Sequence, residues 1–284
     1  MKNLLITGAN GFIGEYFINS NVNHQSIQIF SFLKDDFTTL DLKYVETIVH
    51  LSALVHQMGG ASEEEYERVN VFQTLNLAIK AKKSGVKHFI FMSTVKVYGE
   101  ETEVIYTENS ECNPQDEYGK SKLKAEIELL KLENNVFKVS IIRTPIVYGY
   151  GVKANIKNLI NLVNKVSIIP FGSIPNKRSM VYIGNLCHLM DEVIRQEKSG
   201  VFLASDDESI STTKLIKLIA HNLGKKIFLV KVPLFETILY LIKPSFHKRL
   251  YGSLEVDNSL TKQKLDLINP YSVEEGIKLM IHGK

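Results

Sequence analysis

Three glycines spaced three apart constrain this chain most. Residues 2–7 are a short apolar run that predicts a buried strand. Gly8, Gly11 and Gly14 follow within TGANGFIG, and FIGEYFI then opens an amphipathic helix. A strand, a glycine turn and a helix in this order make a phosphate cradle. Glycine turns tightly and lets a pyrophosphate approach without a Cβ in the way. The helix N-terminus adds free N–H groups and partial positive charge. The spacing G-x-x-G-x-x-G differs from the commoner G-x-G-x-x-G, and no Gly-Lys-Ser/Thr follows, so it is not a P-loop.

Two further segments carry chemistry. DEYGKSKLKAEIELLKLE (116–133) has helical periodicity, which places Tyr118 and Lys122 on one face. A phenol ionises near pH 10, and lowering that by three units requires roughly 4 kcal/mol. A neighbouring ammonium is expected to supply part of it. VKHFIFM (86–92) predicts a central strand that ends at Ser93 and Thr94. Ligands of open α/β sheets bind at strand carboxyl ends, where a hydroxyl can hold a substrate oxygen. For Ser93 the alternative is a turn hydroxyl capping backbone groups.

With these motifs in this order, the chain resembles the extended short-chain dehydrogenase/reductase family, in its nucleotide-sugar 4-epimerase and 4-ketoreductase branch. The likeness extends through IVHLSA (48–53), YERVNVFQTLNLA (66–78), STVKVYGE (93–100), RTPIVYGYGVKAN (143–155), PFGSIPNKRSMVYIGN (170–185) and the tail from Ser253. It implies an NAD or NADP cofactor on Gly8, Asn10, Gly11, Phe12 and Ile13. Ser31 would sit at its adenosine end, with Leu51, Ser52, Ala53, Asn70 and Pro145 along it. It also implies catalysis by Thr94, Tyr118 and Lys122, and a nucleotide-sugar substrate held by Thr94, Asn155 and Arg178. Tyr118 would act as acid/base on the sugar 4-oxygen, and Lys122 would tune it and touch the nicotinamide ribose. A UDP-linked N-acetylhexosamine for surface polysaccharide is the implied substrate. A homodimer through helices near 66–83 and 117–133 is implied as well.

Two departures stand out. The 4,6-dehydratases of this family carry Asp-Glu after the catalytic Thr; here Val95 and Lys96 follow Thr94, so elimination of water is not expected. Lys96 is expected to be an exposed loop lysine. Strand two, expected at 27–32, ends on Ser31 rather than an acid; Lys34 tilts the reading toward NADP, while Asp35 and Asp36 lie beyond the strand. The segment before the next strand is also short for the family. Epimerase and reductase need nearly the same residues, so both stay open. A non-catalytic NAD(P)-binding sensor or scaffold, or a reductase of a non-sugar carbonyl, is the alternative.

The remaining sequence narrows the class. The chain has 284 residues and net charge +3, without the basic, aromatic-rich clusters of nucleic-acid binders. Two distant cysteines predict free thiols, and eight scattered histidines predict no metal site. His50 is expected to be structural or near the cofactor; His56, in ALVHQMG, is a candidate to reach the sugar, with a structural role the stronger expectation. The opening strand leaves no room for a signal peptide, and the apolar stretch 227–242 is too short and interrupted to span a bilayer. A cytoplasmic enzyme is expected. The fold expected is α/β: a Rossmann-type doubly wound parallel sheet with a smaller, interleaved C-terminal substrate lobe. Residues 1–148 would form the NAD(P)-binding domain, with 179–204 returning to it, and 149–178 plus 205–284 the substrate lobe.

Overall fold

Strand-forming apolar runs alternate with amphipathic helices, and the structure stacks them in three layers. The computed structural model describes residues 2–20, 26–55, 61–100 and 104–283; His56 lies outside them. Six strands make one parallel sheet: β1 (Asn3–Thr7), β2 (Ser26–Phe30), β3 (Thr47–His50), β4 (His88–Thr94), β5 (Lys138–Thr144) and β6 (Gly200–Leu203). Their order is β6-β5-β4-β3-β1-β2. All seven residues of β4 are buried, as a strand covered on both faces requires. Thr7 stands opposite Phe30 on one side and His50 on the other. The sheet therefore reverses its winding at β1, and a crevice opens past the ends of β1 and β3.

The helices are α1 (Phe12–Asn19), α2 (Glu63–Tyr66, Glu67–Phe72 and Gln73–Lys83 in one run, π-helical in the middle), α3 (Glu117–Leu132), α4 (Ala154–Lys165), α5 (Ile183–Gln196), α6 (Thr212–Asn222), α7 (Phe235–Ile242), α8 (Pro244–Tyr251), α9 (Ser259–Leu265) and α10 (Val273–His282). Helices α2 and α3 cover one face, where Leu77, Ala81, Ala125 and Leu129 pack with Phe89 and Ile141. Helices α1 and α5 cover the other, through Phe17, Leu186 and Met190 against Ile6 and Ile90. That second core continues into α6 and α10 through Ile216, Ile219 and Ile277. The later part of the chain thus shares its interior with the sheet. β6 itself comes from residues 200–203, paired with Ser140 to Arg143 of β5.

One expectation is corrected at the sheet edge. β2 stops at Phe30, and residues 31–46 form turns with a short 3-10 segment, Phe37–Thr39, capped by the Asp36 carboxylate. Among the described residues no further strand pairs with the outer edge of β2, in keeping with the shortness of that segment.

Candidate active site

The glycine turn is held tightly against the end of β3. Gly8 has φ +73°, and a Cβ there would lie 2.7 Å from the Ser52 backbone nitrogen. A Cβ on Gly14 would lie 2.5 Å from the Gly8 carbonyl oxygen, so α1 can start this close only with glycine. Thr7 locks the crossing. Its hydroxyl sits 2.7 Å from His50 Nδ1 and accepts the Ser52 N–H at 3.3 Å. His50 also meets Thr74 Oγ1 at 2.9 Å, and burial drops its pKa to about 3. His50 is therefore a neutral structural clamp. Gly11 is the N-cap of α1 and no side chain caps it, so first-turn N–H groups face the crevice beside exposed Asn10. Phe12 and Ile13 are half-buried, as are Leu51, Ser52 and Ala53. Asn70, fully buried in the π-helical stretch, accepts the Leu54 N–H and donates to the Leu54 carbonyl and to Ser121 Oγ. It thereby fastens the loop after β3 to the helix that carries Tyr118.

A glycine seats the start of α3 against the turn that follows Thr94. Thr94 ends β4 and caps the next turn by accepting the Lys96 N–H at 3.3 Å. A Cβ on Gly119 would lie 2.9 Å from the Lys96 carbonyl oxygen, so α3 begins in direct contact with that turn. Ser93 points the opposite way, as the next residue of a strand must, and donates to the buried Glu126 carboxylate. Arg143 pairs with the same Glu126 at 2.6 Å, which ties β4, β5 and α3 together. Ser93 is structural, and the Thr94 hydroxyl serves the turn that α3 touches.

The electrostatics differ from the expectation. Tyr118 is half-buried, and its phenol is held above the usual value, first by burial and then by the Asp116 carboxylate and Tyr66. Lys122 does not lower it. The Lys122 ammonium is buried 3.7 Å from the centre of the Phe91 ring, and burial pulls its pKa down to about 7 against the pull of Glu126. Asp116 caps α3 by accepting the Gly119 N–H at 2.7 Å, and it pairs with Lys96 at 2.5 Å. Lys96 also reaches Glu100 at 3.1 Å. Lys96 is thus a half-buried ion-pair partner and not a loose loop lysine. Asp116 went unrecognised in the sequence, although an Asp three residues before a glycine at a helix start signals a cap.

The other expected residues are placed further out. Ser31 follows β2, and its N–H donates to the Asp35 carboxylate at 2.8 Å. Asp35 therefore folds back to the strand end that the sequence reading had placed before it. Pro145 is buried between β5 and the short strand Ile146–Tyr148. Asn155 is exposed at the start of α4. Arg178 donates through Nη1 to the Gly252 carbonyl at 3.0 Å and the Lys248 carbonyl at 3.4 Å, which fastens it to the end of α8. Asn155 and Arg178 stand on later segments of the chain than Thr94 and Tyr118.

A protein-family model described as the NAD dependent epimerase/dehydratase family matches residues 4–203. The chain belongs to that family. It is therefore an enzyme of the extended short-chain dehydrogenase/reductase type. A UDP-glucose 4-epimerase of Vibrio cholerae is 38% identical across 98% of this chain and 94% of its own length. An N-acetyl-alpha-D-glucosaminyl-diphospho-ditrans,octacis-undecaprenol 4-epimerase of Escherichia coli O157:H7 is 28% identical across 81% of this chain and 75% of its own. Among solved structures, a UDP-glucuronic acid 4-epimerase of Bacillus cereus in complex with NAD superposes with a TM-score of 0.78, at 20% identity over 98% of this chain and 96% of that one. A member of this family needs a cradle for a dinucleotide. The tight turn of Gly8, Gly11 and Gly14, the α1 N-terminus without a side-chain cap and the reversal of the sheet at β1 fit one.

Proposed function

We propose that this enzyme is a nucleotide-sugar 4-epimerase that works with NAD on a UDP-linked hexose, an N-acetylhexosamine by preference. The observation that carries this reading is the seating of α3, which bears Tyr118, through Gly119 on the turn that Thr94 caps at the carboxyl end of the sheet. The epimerase relatives support it. Val95 and Lys96 replace the acid pair that dehydration would need, and Lys96 is spent on Asp116. When bound, the nicotinamide supplies the hydride acceptor and donor for sugar C4. Tyr118 exchanges the proton of the 4-hydroxyl, and Thr94 hydrogen-bonds the same oxygen. Burial and Asp116 favour the neutral phenol in the protein alone; the positive charge of a bound oxidised nicotinamide would favour the phenolate, which takes the proton of the 4-hydroxyl, and the phenol so formed returns it to the 4-keto oxygen. Gly8, Gly11 and the α1 N-terminus would hold the pyrophosphate, with Asn10, Phe12 and Ile13 around it. Leu51 to Ala53, Asn70 and Pro145 would line the same crevice, and Lys122 would stand beneath the nicotinamide ribose.

NAD replaces the earlier tilt toward NADP. A 2′-phosphate beside Ser31 would meet the Asp35 carboxylate, whereas ribose hydroxyls could donate to it. Asn155 and Arg178 would take the diphosphate of the substrate. The free Cys112 and Cys187 suit a reducing cytoplasm, and an epimerised hexosamine suits surface polysaccharide synthesis.

One observation favours a second carrier for the sugar. Arg178 is fastened to α8, which belongs to an exposed apolar helix pair. A polyprenyl diphosphate could replace the nucleotide there, as in the name of the E. coli relative. The experiment is incubation of the enzyme and NAD with UDP-hexoses or a polyprenyl-diphosphate hexosamine, followed by NMR at C4. Interconversion of both C4 epimers is expected, and Tyr118→Phe should slow it at least about a hundredfold. Stoichiometric use of reduced cofactor on a 4-keto sugar, without epimerisation, would make the enzyme a reductase instead.

A further inference from the structure

The α7–α8 pair presents an apolar face that the protein does not cover. Phe235 and Leu239 turn inward, with the Phe235 ring 6.0 Å from that of Phe171. Leu234, Ile238 and Leu241 recur four and then three residues apart, a second stripe on the outer side. Leu234 and Leu241 are each 73% exposed and Ile242 70%; Phe246 of α8 is also exposed. So much apolar surface on two adjacent helices marks an interaction site.

Charge decides what covers it. Residues 225–249 carry Lys225, Lys226, Lys231, Lys243, Lys248 and Arg249 against a single acid, Glu236. The whole chain nets only +3, so this segment outweighs the rest. Glu236 meets His247 Nε2 at 3.4 Å and is one acid against six cations. Lys243 and Arg249 line an open cleft with Pro244, Ser245 and Phe246, which pairs cations with an apolar wall. Basic residues flanking an apolar helical face suit the interface of an anionic bilayer. Among the described residues no helix is long and apolar enough to cross a membrane, so α7 can lie on a bilayer but not span it.

We infer that α7–α8 docks this enzyme on anionic lipid bilayers, with Leu234, Ile238, Leu241, Ile242 and Phe246 in the acyl boundary and the surrounding lysines at the headgroups. This does not depend on which sugar carrier the active site takes.

Flotation with phosphatidylglycerol-containing vesicles tests it, with pure phosphatidylcholine vesicles as the control. The protein should partition at least about tenfold better to the anionic vesicles, and added salt should weaken this. Leu241→Ser with Ile242→Ser should reduce partitioning about tenfold or more without lowering the melting temperature, because both side chains stand in solvent. The chain contains no tryptophan, so Leu241→Trp gives a lone reporter whose emission should shift to the blue on anionic vesicles. Failure to float, equal flotation of the double variant, or unshifted emission would overturn the inference. So would self-association that the double variant abolishes, since a second copy would then be what covers the face.

Discussion

Tyr118, Asp116 and Lys96 stand where α3 meets the turn after Thr94, and only Tyr118 is evident from the sequence. Tyr118 was marked by its spacing to Lys122. Asp116 was not, because its effect depends on the cap that folds its carboxylate back toward the helix start. Lys96 was misjudged because its partner lies 20 residues on. Asp116→Asn keeps a capping side chain while removing the charge that raises the phenol. The limb of the pH–rate profile that rises with Tyr118 ionisation should move to lower pH; an unmoved limb would remove Asp116 from the tuning of Tyr118. Lys122 makes a stability prediction. Its pKa is about 7 in the fold against 10.5 when free, so between these values the unfolded chain binds the extra proton and stability rises with pH. Lys122→Met should thus stabilise the fold by roughly 1–4 kcal/mol below neutrality, the range for replacing buried charge with apolar groups. The gain should fade toward alkaline pH, and activity should be lost. Paired urea melts across that range read the difference; a gain that does not vary with pH would mean that Lys122 is not buried as an ammonium.

Elements that bury a continuous face were legible; elements defined by contact were not. The periodicities of β1, β4, α3 and α6 lie close to their observed bounds, since hydrophobic burial acts on the same pattern that a reader counts. The π-helical stretch at Glu67–Phe72 leaves no such trace, although it seats Asn70 between the β3 loop and α3. The end of β2 was misplaced because Phe32 leaves the strand to pack on Phe30 and Phe37. The glycine inside YGKSK matters for the same reason: only contact shows why it is there. Gly119→Ala should gain up to about 1 kcal/mol of helix propensity and lose about 1–3 kcal/mol to crowding against the Lys96 carbonyl. Thermal stability should change modestly, while turnover falls tenfold or more as the start of α3, which carries Tyr118, is shifted. Unchanged turnover would mean that the α3 start can shift without moving the phenol.

On the scale of the whole molecule, a second helical face besides α7–α8 presents apolar side chains outward, and it calls for a different partner. Phe72 and Ile79 on α2, with Ile127 and Leu130 on α3, are exposed on helices that pack side by side. A twofold contact of this face with itself would bury all four, and we expect a homodimer through it. Sedimentation at micromolar concentration should show the dimer, and Phe72→Glu should give monomer; a monomeric parent protein would leave that face unexplained. The doubly wound plan was legible from the alternation of strands and helices, but Arg178 was not placed by it. Its side chain meets a carbonyl 74 residues away, a distance over which no local pattern reports. The sixth strand has a further consequence, for synthesis. β6 completes the sheet against β5, yet its residues are 200–203. While the chain leaves the ribosome, the cofactor half must wait with the outer edge of β5 bare, and a bare edge invites pairing with other nascent chains. The second half of the message is thus needed to finish the first half of the enzyme.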